Sequence, residues 1–386
     1  MNKNILMISP SYFPIVGGTE TYISESAKAL REEGYIVNIL STNMNKKWYI
    51  KPKMELKKEK DHMIYRWGGI NPLSSLQSLV TGSGEINKFK NNAISSLLFN
   101  IHFIPLQLKL LNKLIKNYEI LIFHDVADYS FPKFIRTTKD QKKIFICHTL
   151  NEMFSPKKIY LRIIKQMFRS FADKFVVVAK PEVRLLNEIG IPKNKIKFIP
   201  IGVDTNKYSP RNIEKVKNTA IFIGRCIEKR KGFHILLRAM KQIKSNIELT
   251  VVDFRPSKLA GLNEITGNKI IFIGKIDQDR LIKEISKNEV LILPSLAESF
   301  GIVGIEALAC GTPVISSDLP SVRPFLNEKN SIKFKVGDIK GLSLAIDRFF
   351  NLNSKEKEKM ANFGRKLIFS KFSWKIISKQ LITLFN

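Results

Sequence analysis

Pro294-Ser-Leu-Ala-Glu-Ser-Phe-Gly-Ile-Val-Gly-Ile-Glu-Ala-Leu-Ala-Cys-Gly-Thr-Pro313 decides how the rest of the chain is read. The run before it, Glu289-Val-Leu-Ile-Leu, has the length and β-branched content of a buried strand, and Val314-Ile-Ser-Ser after it reads as another. Between them Gly301 to Ala309 is small and apolar, which predicts a short helix packed closely on a sheet. Gly311 and Pro313 end that helix. Glu298 falls in the strand-to-helix loop and Glu306 on the helix itself. In an open parallel sheet such a loop lies at the carboxyl end of the strands, where ligands bind. The free N–H groups of a helix N-terminus there suit a phosphate.

Working outward, short apolar runs alternate with helical ones, the pattern of an α/β protein. Ile5–Ser9 is the first strand. Gly17-Gly18 sits where it turns into a helix, a place where the backbone can approach a ligand closely or simply make a tight turn. Gly34 ends that helix and Tyr35–Leu40 is the next strand. Leu97 to Tyr118 reads as an amphipathic helix kinked near Pro105. Glu119–Phe123 is a strand delivering His124-Asp125 to the sheet's carboxyl edge, and Lys143–Cys147 delivers His148. A histidine in that position is either structural or aimed at a ligand. Pro156 to Asp173 reads as a helix with Ile159, Ile163, Met167 and Phe171 on one side and five basic residues around the rest.

The second half opens on Ala220-Ile-Phe-Ile-Gly-Arg225, followed by Lys231-Gly232 and a helix with Ile235, Leu236, Ala239 and Met240 on one face. A strand ends, a glycine turns the chain, and cations flank the loop. Glu248–Val252 is a strand followed by Asp253-Phe-Arg-Pro in place of a glycine-rich turn. Lys269–Ile273 leads to the turn at Gly274-Lys275. The chain closes on Phe372-Ser-Trp374 and an amphipathic helix.

The full Pro294–Pro313 string resembles the Glu-x7-Glu signature of the retaining family 4 glycosyltransferases (glycosyl transferases group 1), which have the GT-B fold. Gly224-Arg225…Lys231-Gly232 is similar to that family's Gly-Arg…Lys-Gly element, with one residue more between the glycines than the family usually has, so that Lys229 or Arg230 can stand in for Lys231. Lys195–Asp204 resembles the segment leading into the second domain, with Ile201 where the family usually has Asn. The resemblance implies two Rossmann-like domains facing a cleft. The first would be an acceptor-side domain over 1–198, joined by a terminal helix over 372–386 that crosses back, and the second a nucleotide-sugar domain over 199–371. It implies that Arg225 and Lys231 hold the donor diphosphate, that Glu298 contacts the sugar or its phosphate, and that Glu306 takes the ribose hydroxyls. It places His124, and with less support His148, beside the donor sugar. Gly17 and Gly18 would face donor phosphate and acceptor. The backbone at Gly274 and Lys275 would meet the base, and Ser299, Phe300, Gly301, Ile302 and Val303 would line the phosphate end. The reaction implied is transfer of a hexosyl unit from a nucleotide-diphosphate sugar to a glycan or lipid-linked acceptor, with retention, no metal, and no cofactor beyond the donor.

Composition bounds the alternatives. The chain of 386 residues is long enough for two cores, and 44% hydrophobic residues fit a globular protein. Leu97–Leu111, the best apolar stretch, is broken by Asn100, His102, Gln107 and Lys109, so no membrane span is expected. The first strand follows the N-terminus without a small-residue cleavage site, which reads as no signal peptide and a cytoplasmic location. Three scattered cysteines, Cys147, Cys226 and Cys310, fit a reducing compartment and lack zinc spacing. The net charge of +30 is shared by both halves, which favours a general lysine bias over one dedicated face. It admits a nucleic-acid-binding protein as the rival class, but no aromatic-basic RNA motif or helix-turn-helix cue supports that; a sugar-nucleotide epimerase on the same scaffold is the rival enzyme. Residues 46–66 carry eight basic side chains against three acidic ones. With the basic helix from Pro156, they suggest a peripheral seat on the inner, anionic face of the cell membrane.

Overall fold

The computed structural model describes residues 3–9, 11–13, 17–42, 55–59, 62–67, 69–70, 104–105, 108–124, 136–148, 171–188, 190–211, 213–253 and 267–386. Two units emerge, Met1–Pro200 with Ser378–Asn386, and Ile201–Ile377. Most of the basic helix expected from Pro156, Asp125, residues 46–54 and the turn after Asp253 lie outside the described residues.

Unit 1 is built on β1 (Asn4–Ser9), α1 (Gly18–Glu32), β2 (Ile36–Thr42), β3 (Glu55–Glu59), β4 (His62–Trp67), β5 (Gly69–Ile70), β6 (Ile104–Pro105), α2 (Leu108–Ile115), β7 (Ile120–His124), β8 (Lys142–Cys147), β9 (Lys174–Val177), α3 (Lys180–Glu188) and β10 (Ile196–Phe198). Its main sheet runs β10-β9-β8-β7-β1-β2-β4-β3. All pairs are parallel except β3 on β4. The central strands read as continuous apolar runs because helices cover both faces; Ile5, Leu6, Met7, Leu121 and Ile122 are fully buried. Pro105 does not kink a long helix. It sits in β6, paired with Gly69 of β5, and the helix begins only at Leu108. A proline lacks the N–H that a helix interior needs and pushes the residue before it toward extended backbone.

Unit 2 comprises β11 (Thr219–Ile223), α4 (Phe233–Met240), β12 (Glu248–Val252), β13 (Lys269–Ile273), α5 (Gln278–Lys287), β14 (Val290–Leu293), α6 (Ile302–Ala309), β15 (Val314–Ser317), β16 (Ser331–Phe334), α7 (Ile339–Phe350) and α8 (Ser354–Lys371), and α9 (Trp374–Ile382) begins in unit 2 and ends in unit 1. Every strand pair is parallel, in the order β13-β12-β11-β14-β15-β16. This is the Rossmann order, with its reversal between β11 and β14. The equivalent reversal in unit 1 lies between β1 and β7, where β2 and β4 follow outward on one side and β8, β9 and β10 on the other. Each unit therefore has one place where loops diverge at the carboxyl edge and leave a crevice.

The last residues return to unit 1. Phe385 packs edge-on against Tyr35 with centroids 5.4 Å apart, and Lys142 Nζ donates to the Asn386 carbonyl at 2.6 Å. The return starts at Ser378 rather than Phe372. Phe372 packs on Phe300 and Phe325, Ser373 bridges Val203, and Trp374 fills the space beside Gly202, all within unit 2.

Candidate active site

In unit 2 the loops after β11 and β14 meet at the reversal point. Gly232 makes this possible. Its φ is +70°, and a Cβ there would lie 1.8 Å from the Pro294 carbonyl oxygen, so only glycine lets the two backbones come this close. Leu296 N–H then donates to the Arg230 carbonyl at 2.7 Å, tying the loops together. The residues Lys229–Lys231 form one 3-10 turn that leads into Gly232.

The turn settles which side chain points where. Lys231 Nζ donates to Glu298 Oε1 at 2.7 Å, and Ser295 Oγ donates to the same oxygen at 2.8 Å. Both members of the ion pair are largely covered, the lysine side chain 19% and the glutamate 7% exposed. Arg230 instead reaches Glu228, at 3.1 Å, and Lys229 is exposed. Arg225 also pairs with Glu228, at 2.5 Å, with its guanidinium about half exposed. Burial works against the Glu228 charge, yet the Arg225 hydrogen bond and the cations around it hold its carboxyl below the usual range. Asp253, buried at the end of β12, accepts the Cys226 N–H at 3.3 Å and so fixes the backbone just after Arg225.

The helix α6 starts at the same place. Gly301 caps it in the left-handed region at φ +86°, and the first-turn N–H groups of Ile302 and Val303 have no acceptor within the helix. The helix is seated so deeply because of two glycines. A Cβ on Gly304 would sit 2.9 Å from Phe325, and one on Gly364 of α8 would sit 2.7 Å from Leu308. Ser299 is half-buried in the loop ahead of the cap. Phe300 is a core residue, its ring 5.1 Å from Phe325 and 1% exposed, so any ligand contact from it is through its backbone.

Glu306 is 8% exposed and takes a hydrogen bond from the Tyr208 hydroxyl, which in turn accepts from Gln278 Nε2 at 2.9 Å. Burial first, then the Glu306 charge, pushes the Tyr208 hydroxyl far above its ordinary pKa, so it stays a donor. Gly274 and Lys275 follow β13, which β12 separates from β11. They share the carboxyl edge with Arg225 but not its loop. Tyr208 and Gln278 have no signal in the local sequence, and Ser295 and Asp253 stand in stretches that sequence reasoning singled out without giving either residue a role.

The unit 1 group stands at its own reversal point. Gly17 has an extended backbone, φ −158°, so it is not a glycine for conformational reasons. A Cβ there would meet Glu20 Oε2 at 2.6 Å. Glu20 is buried in the first turn of α1 and accepts a hydrogen bond from Ser11 Oγ. The room left at Gly17 is therefore filled by a carboxylate, and the α1 N-terminus beside Gly18 already faces an anion of its own. Across the crevice, His124 Nδ1 lies 3.2 Å from His148 Nε2, and Tyr22 of α1 packs edge-on against both rings. Burial drives His148 down to about 3 and His124 well below its ordinary value, the latter helped by His148, so both rings are neutral. No cluster of three or more metal-ligating side chains occurs among the described residues.

Comparison with known proteins adds three findings. A family model described as Glycosyltransferase Family 4 matches residues 16–207, and one described as Glycosyl transferases group 1 matches 204–367. The phosphatidyl-myo-inositol mannosyltransferase of Mycolicibacterium smegmatis is 21% identical over 398 aligned residues, covering 98% of this chain and 92% of that protein. An uncharacterized glycosyltransferase of Methanocaldococcus jannaschii is 26% identical, and the match spans 50% of this chain and 55% of that protein. Among solved structures, sucrose-phosphate synthase from Thermosynechococcus elongatus superposes with a TM-score of 0.75 at 21% identity, covering 100% of this chain and 98% of that one. Anabaena HepE in complex with UDP and glucose gives 0.70 at 17%, covering 99% of each. The fold is thus GT-B. The two family models run end to end from residue 16 to residue 367, over both reversal points, and the chain belongs to the group 1, family 4 glycosyltransferases.

Proposed function

We propose that the protein moves a hexosyl unit from a nucleotide-diphosphate sugar to a glycan or lipid-linked acceptor, with retention of configuration. The observation that carries this reading is the meeting of the Arg225–Lys231 loop with Glu298 and the α6 N-terminus at the β11/β14 reversal. A diphosphate leaving group gains negative charge as its bond to the sugar breaks. Cations and free N–H groups already fixed in place stabilise that charge without reorganising. Arg225 can grip phosphate oxygens with two N–H groups, and Lys231 acts as a point charge held ready by Glu298. Glu306, acceptor-only and oriented by Tyr208, suits the ribose diol.

Retention then follows a same-face course. The bond from the anomeric carbon to the phosphate oxygen breaks, the acceptor oxygen bonds that carbon from the same side, and its proton passes to the departing phosphate oxygen. The mannosyltransferase relative acts, by its name, on a phosphatidyl-inositol acceptor, and the Anabaena structure holds UDP and glucose. These names support a lipid-linked acceptor and a nucleotide donor. No helix among the described residues is long and apolar enough to cross a membrane, which is compatible with a peripheral seat on an anionic, cytoplasmic surface.

The test is incubation of the protein with UDP-, GDP- and ADP-sugars and a panel of lipid and glycan acceptors. Release of nucleoside diphosphate together with a product whose anomeric coupling matches the donor is expected for one donor. Inverted product would refute the same-face course, and turnover of the sugar nucleotide to its epimer without transfer would refute the transferase reading.

A further inference from the structure

The His124–His148 pair carries an inference beyond the placement of His124. His124 closes β7, and His148 directly follows β8, its parallel neighbour. The rings are nearly coplanar, 13° apart, with centroids at 5.5 Å. His124 is 1% exposed, His148 5%, and the Tyr22 ring that abuts both is fully buried. A neutral imidazole has one N–H and one bare nitrogen. When Nδ1 of one neutral ring lies 3.2 Å from Nε2 of another, one of those two atoms must carry a proton and the other must not. The bond therefore couples the two tautomers. Whichever way it runs, the state of His124 Nε2 is set by what His148 does at the opposite nitrogen.

That Nε2 is buried and has no hydrogen-bond partner among the described residues. A pair serving only to satisfy the core would use both nitrogens of the more buried ring. This one satisfies a single nitrogen and leaves the other without a hydrogen-bond partner among the described residues. Buried polar atoms are rarely left unpaired in native structures, and a catalytic or ligand-binding role is one reason for such an atom.

We propose that His148 is a positioning residue for His124, holding its ring in one tautomer and one orientation so that Nε2 meets a sugar hydroxyl as a single, defined hydrogen-bonding atom. The proposal rests on the glycosyltransferase reading of the site. Tyr22 completes the arrangement by blocking rotation of both rings from the α1 side. A ring free to exchange tautomers would present a donor part of the time and an acceptor the rest, and only one of them would match the hydroxyl in the transition state.

The experiment uses the full chain labelled with 15N-histidine, with His124→Gln to assign the signals. Long-range 1H–15N spectra at neutral pH should show His124 with one protonated and one bare nitrogen. In His148→Phe the two nitrogens of His124 should average. In His148→Gln, whose amide can both donate and accept, they should separate again. Transfer should track the spectra. His148→Phe should lower kcat ten- to a hundredfold with the dissociation constant for nucleoside diphosphate unchanged, and His148→Gln should recover at least part of it. Averaged His124 signals in the unmodified protein would overturn the proposal, and so would a folded His148→Phe with an unaltered His124 spectrum or unaltered kcat. If His148→Phe does not fold, the unmodified spectrum and His148→Gln still decide. A protein that transfers no sugar from any donor yet shows one His124 tautomer would refute the transferase reading and leave the coupled pair standing.

Discussion

Arg225 and Lys231 reach the same crevice by different means, and their variants should differ accordingly. Arg225 stands half-exposed on Glu228, a partner that diphosphate would have to displace, whereas Lys231 is largely covered and held by Glu298, whose same oxygen also accepts from Ser295. Arg225→Ala should lower kcat by about two orders of magnitude, the usual cost of removing one transition-state contact to a developing anion. A change confined to KM would show that Arg225 binds ground state and transition state alike. The two glutamates should separate in the same way. Glu306→Gln should weaken binding of nucleoside diphosphate alone, measured calorimetrically, because the ribose would lose the charge and one of two acceptor oxygens. Glu298→Gln should leave that affinity intact or raise it, since Lys231 loses a competing anion, while transfer falls. Equal loss of nucleotide affinity in both variants would refute the division. These residues were legible as candidates because each belongs to a local string: a cation beside a glycine, a glutamate ahead of a helix. Their partners were not. Tyr208 and Gln278 meet at Glu306 only through the fold, and nothing near either in sequence announces a tie to that carboxylate.

Strands and helices were legible where periodicity was strong and unbroken. β11, β14, α6 and β15 fall within a residue or two of their expected limits, because buried parallel strands are written as short apolar runs and glycine marks the helix ends. The long helix expected around Pro105 failed because an amphipathic pattern continued across a residue that ends it. Equally hidden was why Gly17 and Gly232 are glycines. One leaves room for Glu20 and the other for a backbone carbonyl, and both are facts of packing. That gives a test of how the β11 and β14 loops are joined. Gly232→Ala combines a left-handed φ with a Cβ driven into Pro294 and should cost about 2–4 kcal/mol in urea denaturation. Gly267→Ala shares the left-handed φ, +68°, but has no neighbour within 4 Å, and should cost only about 1 kcal/mol. Equal losses would mean that conformation alone, and not the close approach of the two loops, requires glycine at 232.

At the scale of the whole molecule the charge is the property that neither unit's crevice explains. With 64 Lys and Arg against 34 Asp and Glu, nearly half of the basic side chains have no acidic partner to meet, and the few cations of the site account for little of the excess. A general lysine bias is one source. A seat on an anionic bilayer is the other, and it would bring a lipid-linked acceptor to the enzyme. On the edge strand β3 Leu56 is 61% and Lys57 63% exposed, on opposite faces of the unit 1 sheet, where exposed charge guards against edge-to-edge pairing. Each lysine or arginine close to an anionic leaflet contributes about 1 kcal/mol, and that contribution fades with salt. Co-sedimentation with anionic and neutral liposomes across a salt series separates the two sources. Binding to anionic vesicles alone, weakened by salt and abolished by reversing the charges of Lys158, Arg162 and Lys165, is the expected result for a peripheral enzyme whose basic stretch from Pro156 lies on the headgroups. Salt-sensitive binding that survives this reversal would place the contact elsewhere on the basic surface. Absence of binding to anionic vesicles at low salt would leave the charge to composition, and the acceptor would then have to come to the protein in solution.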